Sequence, residues 1–107
     1  MIYEKRAYYV APGRMPALHK RFSEHTLGFF KKHGINIVGF WEAYIGTTGI
    51  LHYLLVFDDM AAREMAWAGM LSDQDWIRVR AQSEADGAIL DHAVVEIWKP
   101  TAYSPMQ

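Results

Sequence analysis

No cysteine occurs among the 107 residues of this chain, which rules out disulfides, thiolate chemistry and Cys-based metal sites together. Net charge is almost as scarce. The balance at pH 7 is -1, so the clustered Lys and Arg of a nucleic-acid binder are missing. The densest basic run, Lys31-Lys32-His33, falls where a helix is expected to end, and cations there offset the helix dipole. No apolar run approaches the ~20 residues needed to cross a bilayer. The charged start, Ile2-Tyr3-Glu4-Lys5-Arg6, has no signal-peptide core. The expectation is a soluble, cytoplasmic protein with neither nucleic acid nor membrane as partner.

Signatures of common chemistry are lacking too. His19 and His25 are six apart on an expected helix and point to different sides. No His-x-x-x-His or Glu-x-x-His pair occurs, so no metal is expected. Gly46 and Gly49 join two strands with no helix N-terminus behind them, which excludes a phosphate loop. No Ser sits in a nucleophile context. No cofactor is expected.

Aromatic residues, by contrast, are plentiful. Four Trp and six Tyr need a core, an interface or a pocket to hold them. The length predicts a single domain, residues 1–107. Residues 2–11 read as a strand closed by Pro12-Gly13. A helix over roughly 15–33 follows, with Met15, Leu18, Phe22 and Phe29 on one face and Gly34 as its left-handed stop. Strands at about 36–45 and 50–57 flank a Gly46-Thr47-Thr48-Gly49 hairpin loop. Asp58-Asp59 caps a helix to about Leu71, and Ser72-Asp73-Gln74-Asp75 reads as a capping box opening another. The last strand covers about 88–98, with Ala93, Val95 and Ile97 alternating against His92, Glu96 and Trp98.

The order βαββαβ predicts an α+β, ferredoxin-like domain with a four-stranded antiparallel sheet and its helices on one face. The other face is left bare. Strands two and three are apolar on both sides, through Ile37, Val38, Phe40, Trp41, Tyr53, Leu54, Leu55, Val56 and Phe57, where a half-covered sheet alternates. Such a face is a larger apolar patch than monomers usually carry. A second copy is the expected cover, giving a homodimer or higher homo-oligomer closed as a dimeric α/β barrel. The competing reading is a monomer with a broad apolar pocket.

Several segments together resemble the NIPSNAP family, within the dimeric α/β-barrel superfamily. They are Ile2-Tyr3-Glu4-Lys5-Arg6-Ala7-Tyr8 with Pro12-Gly13, then His33-Gly34, and Gly39-Phe40-Trp41 ahead of Gly46. Tyr53-Leu54-Leu55-Val56-Phe57, Arg63 and Trp67 follow, then Asp75-Trp76 and the closing Lys99-Pro100-Thr101-Ala102-Tyr103-Ser104-Pro105. The resemblance spans essentially the whole chain and implies a ferredoxin-like subunit pairing sheet to sheet. It implies no defined activity and carries over no catalytic residue. Lys5 stands where much of that family is expected to have an apolar residue.

Candidate site residues come from the residues themselves. Glu4, Arg6 and Tyr8 alternate along the first strand and share a face. Arg6 could hold a carboxylate or phenolate ligand with Tyr8 as donor; the alternative is an ion pair that fixes dimer register. His52, on a central strand, could be a general base near neutral pH or a structural histidine bonded to backbone. Trp41, Trp67, Trp76 and Trp98 could line a pocket for a flat ligand or fill core and interface. Arg63 could reach a cavity mouth or make an i,i+4 or tail contact.

The functional expectation is binding or transformation of a small, largely apolar or aromatic molecule in a cavity beside the sheet. Glu4, Arg6, Tyr8, Trp41, Arg63 and Trp76 are its candidate binding residues. The sequence leaves open whether the protein is an enzyme. If it is, the activities of the wider superfamily it resembles imply cofactor-free oxygenation or isomerisation, with His52 as the expected base. The rival is a non-catalytic assembly module.

Overall fold

The computed structural model describes all 107 residues. The chain runs β1 (Ile2–Val10), α1 (Met15–Arg21), a π-helical turn (Phe22–Thr26), α2 (Leu27–Lys32), β2 (Asn36–Trp41), β3 (Ile50–Phe57), α3 (Met60–Ser72), α4 (Gln74–Ser83) and β4 (Leu90–Trp98). The strands form one antiparallel sheet in the order β2-β3-β1-β4. This is the ferredoxin-like α+β arrangement, with β1 and β3 central. No helix is long and apolar enough to cross a membrane.

Local chemistry explains the boundaries. Pro16 lies in the first turn of α1, where its missing N–H costs nothing. Gly34 ends α2 at φ +72°, a conformation most side chains avoid. Asp59 caps α3 by accepting from the Ala62 N–H at 2.8 Å. The expected capping box at Ser72 is divided between two helices. Ser72 closes α3, its hydroxyl donating back to the Ala68 carbonyl at 2.8 Å, and Asp73 alone caps α4 through the Asp75 N–H. The Asp73 carboxylate also accepts from Lys32 and His33 at the end of α2, both at 2.7 Å. Those bonds hold its pKa below the ordinary carboxylate range.

Two boundaries differ from expectation. The second strand stops at Trp41 instead of running to residue 45, so the connection spans Glu42–Gly49 and exposes Tyr44 and Ile45 fully. The helix over 15–33 is interrupted by the π-turn. The Thr26 hydroxyl donates to the Arg21 carbonyl at 3.2 Å there, satisfying a group that the wider turn would leave open.

The core lies between the sheet and the helices. Leu18, Phe22 and Phe30 meet Tyr53, Leu55 and Phe57 of β3, with Met70 and Trp76 closing from α3 and α4. Burial on β3 alternates as a half-covered strand should: Leu51, Tyr53, Leu55 and Phe57 are buried, and His52, Leu54 and Val56 are half-buried on the open side. The open face is therefore more polar than the runs of apolar residues suggested. Lys5, His52 and Glu96 stand on it beside Leu54, Val56 and Val94. Lys5, at the position expected to be apolar, points away from the core and donates to His52 Nδ1 at 3.1 Å. β4 is exposed along both faces, so Val95 and Ile97 share the helix side of the sheet without a helix above them.

Candidate functional site

β1 delivers Glu4, Arg6 and Tyr8 to the helix side, as period-two alternation requires. Glu4 is fully buried. One of its oxygens accepts from the Arg63 Nε at 2.5 Å and from the Trp67 indole at 3.1 Å. The other accepts from an Arg6 terminal nitrogen at 2.5 Å. Arg63 and Trp67 are one turn apart on α3, so a single helix face supplies both donors. A buried carboxylate is tolerable only with such partners.

Arg6 is held from several sides. Its guanidinium lies 4.6 Å from the Trp67 ring centroid and 5.6 Å from that of Tyr8. Burial works against its charge, but Tyr8, Tyr53 and Glu4 together raise its pKa above the ordinary guanidinium value. Its Nε is buried and has no hydrogen-bond partner. Tyr53 donates to the Tyr8 hydroxyl at 2.7 Å. Burial, with Tyr8 beside it, pushes the Tyr53 phenol well above its ordinary pKa, so it stays a neutral donor. Accepting that bond leaves the Tyr8 proton free to point elsewhere.

These groups border a cavity of about 170 Å³ between sheet and helices. Phe22, Phe30, Trp67, Met70 and Trp76 form its apolar walls, and Arg6, Tyr8, Arg21, Thr26 and Arg80 are its polar lining residues. Phe22 and Thr26, the first and last residues of the π-turn, both reach it. Leu90 and Ala93 border it from the sheet side at β4.

Of the residues expected to bind ligand, Arg6, Tyr8 and Trp76 line this cavity, and Glu4 and Arg63 brace Arg6 from behind. Arg63 makes neither an i,i+4 nor a tail contact; it pairs with Glu4 across the sheet–helix interface. Trp41 is elsewhere. The register shifts between Ile37 and Gly39, and Trp41 ends opposite His52 on the open face, 53% exposed. Its ring covers Gly39, where a Cβ would meet it at 2.7 Å. His52 pairs with Ala7, not with Arg6 or Tyr8, and so faces away from the cavity. Partial burial and the charge of Lys5 lower its pKa. The sequence reading grouped His52 with Arg6 and Tyr8; the sheet separates them by its full thickness. Phe30, Met70 and Arg21 were not singled out from the sequence, although Phe30 directly follows the striped residue Phe29.

The fold and this cavity define a ferredoxin-like α+β domain with a small, aromatic-walled pocket between sheet and helices. The NIPSNAP family model matches residues 3–105, and the chain belongs to the NIPSNAP family. Its structure is similar to that of a NIPSNAP family protein from Agrobacterium tumefaciens, 25% identical over 100% of this chain and 94% of that one, with a TM-score of 0.87. A NIPSNAP domain protein from Burkholderia xenovorans is 22% identical over 98% of this chain and 99% of that one, with a TM-score of 0.85. A variant of MhuD, solved with two manganese protoporphyrin IX molecules per active site, shares the fold at 17% identity and a TM-score of 0.66, over 94% of each chain. No curated protein matches the sequence.

Proposed function

We propose that the chain binds a small aromatic anion, with its ring in the cavity beneath the helices and its carboxylate or phenolate on Arg6. The observation that carries this reading is a charged guanidinium with an unused Nε–H among aromatic walls. Size sets the ligand class. An apolar cavity of about 150 Å³ holds benzene, so about 170 Å³ suits one ring. A porphyrin such as MhuD carries does not fit that volume. With His52 on the far face, binding is the role these residues support, and the Tyr8 hydroxyl is a neutral donor beside Arg6.

Titration with benzoate, followed by Trp fluorescence, tests the reading, since Trp67 and Trp76 both border the cavity. Saturable quenching is expected. A hydrogen bond to a charged group contributes about 1.5–3 kcal/mol, so Arg6→Gln should weaken benzoate by roughly ten-fold or more. Arg6→Lys keeps a cation beside Glu4 but lacks the fork, and should weaken benzoate while retaining the fold. Toluene should bind native protein and Arg6→Lys alike. Benzoate binding that ignores both substitutions removes Arg6 from the site.

The same reading includes a homodimer. Val94 and Trp98 are exposed on the open face, and Val95 and Ile97 on the helix side of the same strand. An apolar strand exposed on both faces at a sheet edge invites pairing. A second copy is the proposed cover, with Lys5 and Glu96 supplying charges of both signs for register. Light scattering at micromolar concentration should give the dimer mass, and Val94→Asp should shift it to the monomer. A native protein that stays monomeric under those conditions refutes this assembly.

A further inference from the structure

We propose that the cleft between α1 with its π-turn and α4 is a second binding site, for a phosphate-class oxyanion. Arg21 borders both this cleft and the aromatic cavity, whereas Arg14 belongs to the cleft alone, so the Arg14 variant separates the two sites. The cleft measures about 350 Å³ and is bordered chiefly by polar side chains. Arg14 and Arg21 converge there on one residue. An Arg14 terminal nitrogen donates to the Ser83 carbonyl at 3.4 Å, and one from Arg21 donates to the Ser83 hydroxyl at 3.2 Å.

Neither guanidinium is satisfied. Both have a buried Nε–H without an acceptor, and Arg6 carries the only other unpartnered buried side-chain nitrogen. Leaving such a donor buried and unpaired costs about 1–3 kcal/mol. Arg21 is only 6% exposed and has one carboxylate partner, Glu84 at 3.2 Å. Arg14 has no carboxylate partner at all; its acceptors are the Ser83 and Gly87 carbonyls, the latter at 3.2 Å. Lys20 and His25 border the same cleft without an ion pair. Glu24 and Asp86 border it too and are likewise unpaired. Their charge opposes an extended polyanion such as nucleic acid and favours a compact ligand seated between the two arginines. A tetrahedral oxyanion offers acceptors in several directions, which donors arriving from the two ends of α1 require.

Calorimetric titration of the full chain with inorganic phosphate at low ionic strength tests this assignment. Saturable binding in the millimolar range is expected, and Arg14→Gln should weaken it by roughly ten-fold. Arg21→Lys, which keeps a cation for Glu84, should weaken it comparably. Arg78→Gln removes one exposed cation that pairs only with Asp75 and should leave phosphate binding unchanged. Acetate should bind more weakly than phosphate. The proposal is overturned if phosphate does not saturate, if Arg14→Gln and Arg78→Gln act equally, or if acetate binds as tightly as phosphate.

Discussion

Glu4→Gln should destabilise the protein by about 3–5 kcal/mol, the cost of breaking a buried ion pair by removing one partner. The carboxylate is wholly buried and joins Arg6 on its own strand to Arg63 and Trp67 on α3. The neutral amide removes the only counter-charge of both guanidiniums. Arg63→Gln should cost less, because Arg63 is 24% exposed and Arg6 remains to pair with Glu4. Equilibrium urea unfolding of the two variants against native protein measures both. A loss below about 1 kcal/mol for Glu4→Gln would place the pair with exposed salt bridges in its effect, and α3 would owe its position to packing alone.

Phe30→Ala should cost a similar amount, about 3–5 kcal/mol, for a different reason. Phe30 is almost completely buried, with ring centroids 6.2 Å from Phe22, 6.3 Å from Tyr53 and 5.8 Å from Trp67. Truncation leaves a void that the surrounding rings cannot fill, since they are fixed from two layers. Phe30 also borders the aromatic cavity, so the void extends the binding space. Naphthalene-2-carboxylate should therefore gain affinity relative to benzoate in this variant. Unfolding curves measure the first effect and paired fluorescence titrations the second. An unchanged preference between the two ligands would mean that the ring binds away from Phe30.

The sequence carried the architecture further than the site, and the residues themselves explain why. Period-two alternation in β1 was enough to group Glu4, Arg6 and Tyr8, because side-chain direction in a strand depends only on parity. Deciding whether His52 joins them needs the register of β3 against β1. Arg6 faces Tyr53 and Ala7 faces His52, and no local signal in either strand specifies that offset. The face of Trp41 is not legible from alternation, because the one-residue bulge between Ile37 and Gly39 inverts the parity of everything after it. Arg63 found its partner 59 residues away. Its spacing from Trp67 marked a shared helix face, but not which strand residue that face would meet. The apolar runs in β2 and β3 suggested an oily open side because Lys5 and Glu96, which moderate it, lie on other strands.

Adjacent residues of β1 serve opposite surfaces: Glu4, Arg6 and Tyr8 look inward and Lys5, Ala7 and Tyr9 outward. One residue inserted after Glu4 would invert every side chain beyond it, sending Lys5 and Tyr9 into the cavity and stranding Arg6 and Tyr8 outside. Insertions and deletions are free to accumulate in connections such as Glu42–Gly49, where no side chain depends on parity.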